Sequence, residues 1–146
     1  IMIKSEIEDR TNESINYNQK IIHQYCETVL KAYGHNKGQV SLIISNDKEI
    51  SDLKIKYFDE YLYTDVITFN LEEKNEPIEG EIYVSWDRIC ENAIKYKVTP
   101  ALELKRVIIH GLLHLLGFND QSNKEKRNMT QLEDKFINII PESILI

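Results

Sequence analysis

Residues 107–116 read VIIHGLLHLL, apolar or glycine at every position except His110 and His114. A helix whose only polar groups are two imidazoles belongs inside a core, so the rest of the chain has to pack around it. An α-helix turns about 100° per residue, which puts the two histidines on one face with Cβ atoms roughly 5–6 Å apart. Burial favours neutral imidazole, the form that ligates a metal.

A histidine pair in an apolar run is commonly two core residues, each satisfied by a carbonyl or a carboxylate. The residues that follow favour a metal site instead. Gly117 suits the left-handed C′ position, which would fold Phe118 back on Leu113. Ser122 and Glu125 form a capping box that opens the next helix, so Asp120 lies in a short loop held at both ends and can return toward the histidines. His110, His114 and Asp120 are therefore candidate ligands for one divalent ion per chain, with Zn2+ as the expected metal.

Two histidines and a carboxylate leave a fourth position for water, the pattern of catalytic rather than structural zinc. Coordination brings the pKa of bound water from about 15.7 to about 7, so the metal-bound water is the expected nucleophile and no side chain is assigned as general base. Iron, nickel or manganese would accept the same donors. The spacing HxxxHxxGxxD approaches the protease signature HExxHxxGxxH but carries Gly111 where the protease has its basic Glu, which moves the expected chemistry toward phosphodiesters.

The 146 residues are read as a single metal-dependent hydrolase domain, 1–146. Cys26 and Cys90 lack metal-binding spacing and are read as structural. No signal-peptide pattern or bilayer-length apolar run is present, so a cytoplasmic protein with no membrane partner is expected. A net charge of −6 argues against a non-specific polyanion binder. Positive charge gathers locally at Lys54 and Lys56, at Arg88 with Lys95 and Lys97, and at Lys124, Lys126 and Arg127; each group also reads as a solvated helix face.

Strands are expected at 2–7, 40–44, 65–69 and 81–85, the last two as an antiparallel hairpin, with right-handed crossovers making the first three strands parallel. Helices are expected around Ile22–Tyr33, from Asn46 or Asp47 through Tyr57, from Trp86 to about Tyr96, and from Pro100. A last helix has Met129, Leu132, Phe136 and Ile140 on its inner face. Gly80 is read as a turn, Ser85 as a helix cap, and His23 and His35 as solvent histidines. The fold class is α+β: one mixed four-stranded sheet with about five helices, one of them a zincin-like metal-bearing helix.

HGLLHLLGFND at 110–120 resembles the HGxLHLxGYDH signature of the YbeY-type metal-dependent endoribonucleases, bacterial factors of ribosomal RNA maturation. TDVITF at 64–69 is similar to that family's TDVLSF, and GEIYVS at 80–85 to its GDIxIS, so the resemblance covers nearly the whole chain. It implies a zincin-related α+β fold, a three-ligand zinc, and cleavage of single-stranded RNA in 16S ribosomal RNA 3′-end maturation and ribosome quality control. The chain departs from the pattern in two places. Asp120 stands where the family usually has His, with Asn119 where it commonly has Asp, and Phe58 follows Tyr57 where the family commonly has an arginine thought to serve cleavage; a lysine from elsewhere would have to supply that charge.

Thr64 and Asp65, in a matching block, are candidates for the surroundings of the metal or for substrate contact, and equally read as strand-start residues bonded to backbone. The expected partner is single-stranded ribosomal RNA, reached by an acidic monomer with help from small-subunit ribosomal proteins. The alternatives are a zincin-like hydrolase of peptides or small molecules, disfavoured by Gly111, and a non-catalytic ribosome-assembly factor whose metal braces the fold.

Overall fold

The computed structural model describes residues 2–61 and 64–146. The elements run β1 (Ile3–Asp9), α1 (Gln19–Ala32), β2 (Gly38–Ser45), α2 (Asp47–Phe58), β3 (Val66–Asn70), β4 (Ile78–Ser85), α3 (Trp86–Tyr96), α4 (Pro100–Leu115) and α5 (Asn123–Ile139). The expected α+β class holds, with one mixed four-stranded sheet and five helices among the described residues. Local chemistry starts the helices where expected. Asn46, Ser85 and Thr99 each accept a backbone N–H three residues on, Pro100 occupies the first turn of α4, and Ser122 and Glu125 complete their capping box.

The strand order is β1-β2-β4-β3, with β1, β2 and β4 parallel and β3 antiparallel to β4 at the edge. This corrects the expectation that the first three strands would be parallel: β4, not β3, completes the parallel set. The reason is burial. β4 buries Ile78, Gly80, Ile82 and Val84 at alternate positions and takes the inner place beside β2, while the shorter β3, ending at exposed Asn70, takes the rim.

Helix α4 lies at the centre, against β3 and β4 and touching α1, α3 and α5. Its approach to β4 is close because glycine stands on both sides. A Cβ on Gly111 would lie 2.8 Å from Ile82 Cγ2, and one on Gly80 would lie 2.6 Å from the Leu115 methyls. Gly80 is thus not a turn; β4 begins two residues earlier at Ile78, and Gly80 lies inside the strand under Leu115. Ile82, Leu104, Ile109, Leu112 and Leu113 are completely buried around this contact, each contributing roughly 1.5–3 kcal/mol.

Helix α2 covers the other face of the sheet, where Tyr57 meets Phe69 edge-on at 5.2 Å and Phe69 meets Tyr83 at 5.8 Å. Cys26 is buried in α1 and its thiol is pushed up to about 12 by burial, and neither cysteine forms a disulfide. Ile140 follows α5 as its cap residue, is buried, and its carbonyl accepts from Tyr25 and Lys105.

Gly111→Ala is expected to lower stability by about 1–3 kcal/mol although alanine is the better helix former, because branched, buried Ile82 has no room to retreat. Urea unfolding checks this: the midpoint should fall with little change in slope, and an unchanged or higher midpoint would contradict the packing.

Candidate metal centre

The last turn of α4 ends in a Schellman arrangement. Gly117, at φ +102°, lets its own N–H bond to His114 O and the Phe118 N–H bond to Leu113 O, both at 3.0 Å. The backbone folds back as expected, while the Phe118 ring rests edge-on against Tyr33 at 5.1 Å. The Phe118 carbonyl then faces the helix and accepts from His114 Nδ1 at 2.9 Å. Glu125 takes the Gln121 and Ser122 N–H groups on one oxygen, which fixes the far end of the loop and holds Asp120 over the histidines.

The three ligand candidates converge. His110 Nε2 and His114 Nε2 are 2.9 Å apart, and Asp120 Oδ2 is 3.2 and 3.3 Å from them. A tetrahedral zinc with bonds of about 2.0–2.1 Å needs donors about 3.3–3.4 Å apart, so the triangle fits such an ion with small adjustments. The hydrogen bonds on the far side of each ring fix the tautomers. His114 Nδ1–H is committed to a carbonyl and His110 Nδ1–H to Glu133 Oε2 at 2.6 Å. Both Nε2 atoms therefore present lone pairs, and with the Asp120 carboxylate three acceptors face one point. Such a cluster requires a cation, either a metal or a proton.

Glu133 was not among the residues singled out from the sequence. Its side chain is 8% exposed, and its second oxygen accepts from Arg106 Nη1 at 3.0 Å, while Arg106 also reaches Asp134 at 2.7 Å. A signal existed: Glu133 lies four residues after Met129 and three before Phe136, both buried, so an acidic side chain interrupts the apolar stripe of α5. Burial opposes a charge on His110, but the Glu133 hydrogen bond and charge, with Asp120 and Asp65, outweigh it and hold the ring above its ordinary value.

Asp65 lies beside this group. It shares a cleft with His110 and Glu133, and burial raises its carboxyl above the ordinary range against the lowering effect of His110. Its backbone carbonyl accepts from Ser85 N–H at 2.9 Å, and Thr64 Oγ1 donates to Val66 O at 3.3 Å, so both sit at the strand start and Asp65 in addition borders the candidate site.

The other sequence candidates fall elsewhere. Phe58 is 45% exposed and stacked on Phe69 at 6.0 Å, on the α2 side of the sheet, with Lys54 Nζ 5.0 Å from its ring and 3.3 Å from Glu60. Leu62 and Tyr63, in the segment after it, lie outside the described residues. Arg88 pairs with Asp47 and Glu91, and Lys124, Lys126 and Arg127 are exposed on α5. His23, with its side chain 37% exposed, also meets Ser5 Oγ of β1 at 2.7 Å and Glu27 at 2.9 Å, and His35 lies partly exposed after α1.

An α+β fold in which a buried helix presents two histidines, and the loop after it a carboxylate, to one point is the build of a metal-dependent hydrolase. Residues 4–140 match the family model described as endoribonuclease YbeY. Curated relatives described as endoribonuclease YbeY include one from Parabacteroides distasonis, 35% identical over 85% of this chain and 87% of its own. Another, from Karelsulcia muelleri, is 41% identical over 68% of this chain and 70% of its own. The solution structure of a Thermotoga maritima protein superposes with a TM-score of 0.62 at 27% identity, covering 92% of this chain and 89% of that one. The chain belongs to the YbeY endoribonuclease family and is a hydrolase of that class.

Because His110 must be neutral to ligate, apparent metal affinity is expected to fall as pH drops through its raised pKa, beginning above the ordinary value near 6.5. Glu133→Gln removes the charge that raises it, so competition should begin at lower pH while affinity at pH 8 weakens about 10–100-fold. Chelator competition across pH 5.5–8.5 checks both. In the metal-free protein the sign reverses: a raised pKa gives stability that is complete below the unfolded value and is lost as pH rises through the folded one.

Proposed function

We propose that this chain is a zinc-dependent, single-strand-specific endoribonuclease of the cytoplasm that acts in 16S ribosomal RNA 3′-end maturation and ribosome quality control. In this reading one ion per chain is held by His110, His114 and Asp120. The observation that carries it is the convergence of three acceptor atoms within 3.3 Å in a chain of this family. A divalent ion bound there supplies Lewis acidity toward a phosphoryl oxygen and an acidified water.

The chain's own residues do the rest. Glu133 and the Phe118 carbonyl hold the two imidazoles by Nδ1, so each Nε2 is oriented before any ion arrives. Asp120 contributes the negative charge that two neutral rings lack. Asp65 faces the cleft beside His110 with a carboxyl whose proton affinity burial has increased, the property needed to hand a proton to a departing ribose oxygen. Among the described residues no helix is long and apolar enough to cross a membrane, which agrees with action on a ribosomal substrate. Contact with small-subunit ribosomal proteins would bring an acidic monomer to RNA despite its −6 charge.

Metal analysis of purified protein, with cleavage of a short single-stranded RNA and its duplex on the same samples, tests the reading. Near one metal per chain is expected, with the single strand cut, the duplex spared, and both metal and cleavage lost in Asp120→Ala. Asp65→Asn should keep its metal and lose about a hundredfold or more in turnover. Metal without any cleavage would favour the assembly-factor reading, for which Phe58 in place of the family arginine is the specific observation. Absence of metal from the wild type after zinc addition would end the proposal.

A further inference from the structure

The cleft beside the candidate metal centre continues along α4 toward Pro100 and holds about 500 Å³, the size of sites that take small ligands. Its lining is divided. Tyr96, Val98 and Leu102 give it an apolar side, and Asp65, Glu103 and Asn92 a polar one. Tyr96 is 58% exposed and Glu103 only 5%, so the aromatic ring stands at the mouth and the carboxylate at depth. The Asn92 amide lies beside the Glu103 carboxylate across the α3–α4 contact.

Glu103 precedes His110 by seven residues, two helical turns, on the same face of α4 and about 10.5 Å along the axis. A ligand that reached both would be of nucleotide size. Charge decides which part of a nucleotide enters. Asp65, Glu103 and Glu133 line the cleft, and its one guanidinium, Arg106, is already bound to Glu133 and Asp134. With Glu103 and Glu133 as carboxylates a phosphate would be repelled there, whether or not Asp65 holds a proton; a flat, neutral ring with N–H donors is not. A carboxylate accepts two donors side by side. Of the four RNA bases only guanine offers such a pair on one edge, at N1 and N2.

We propose that this cleft receives a guanine base of the RNA substrate, stacked on Tyr96 and read at N1–H and N2–H by Glu103, beside a phosphodiester lying over His110, His114 and Asp120. The inference rests on the nuclease reading above and adds to it a base preference and the residues that set it. Lys95, whose Nζ is 5.4 Å from the Tyr96 ring, is placed to meet the sugar-phosphate chain as it leaves the cleft.

Equilibrium binding of nucleoside 5′-monophosphates to the full, metal-loaded chain tests this without requiring cleavage. All of them share the phosphate, so differences report the base. Guanosine monophosphate should bind at least about tenfold more tightly than the inosine, adenosine, cytidine and uridine forms, inosine differing from guanosine only by the N2 amine. Glu103→Gln should reduce guanosine binding to the inosine level, and Tyr96→Ala, at an exposed position, should weaken it several-fold. Should Glu103→Gln lose metal, and with it the fold, the guanosine-to-inosine ratio of the wild type and the Tyr96 variant decide. Equal affinities, or a preference that survives Glu103→Gln in folded protein, overturn the proposal. RNA cut with no guanine preference at either flanking position would remove the pocket and keep the nuclease. Guanosine selectivity in a chain that cuts no RNA would keep the pocket and remove the nuclease.

Discussion

Everything at the metal-facing side depends on how near α4 can come to β4. Gly111 and Gly80 remove the two Cβ atoms that would hold the layers apart, and Ile82 and Leu115 fill the space left. With the apolar stripe of α4 pressed on the sheet, its remaining face turns toward the rim, and that face carries Glu103, Arg106, His110 and His114 at helical spacing. The position beside the first histidine, where a protease of similar spacing keeps its base, is here given over to packing.

The second dependence is electrostatic. Arg106, Glu133 and His110 form a chain from the α4–α5 contact to the ligand atoms, and its last member is held ready to ionise by a carboxylate that is itself nearly buried. A group of acceptors so arranged stores unfavourable energy when empty of cations, and binding releases it. Half-buried Asp65 and buried Glu103 carry the acidic lining on from Glu133 into the cleft.

Local chemistry was legible from the residues alone. The caps at Asn46, Ser85, Thr99 and Ser122, the glycine end at 117, and the loop that returns Asp120 to the histidines are all set by neighbours within a few positions, and all are present. What escaped depends on distant partners. Glu133 meets His110 across 23 residues and two helices, and on its own helix it looks like one more polar residue. The place of β4 between β2 and β3 follows from which strand buries more of its residues, a comparison no single segment contains. Glycine near Pro77 suggests a turn at Gly80, whereas its reason is Leu115 on another element. The contact of His23 on α1 with Ser5 on β1 is likewise invisible within either segment.

The backbone of Phe118 serves two ends at once. Its N–H closes the last turn of α4 and its carbonyl aims His114. Fraying of that helix end and loss of His114's orientation are therefore one event, not two. An occupied metal would act as a clamp on the terminus, and exchange of the Phe118 amide with solvent would slow in step with occupancy. The helix end thereby becomes a reporter of whether the centre is filled.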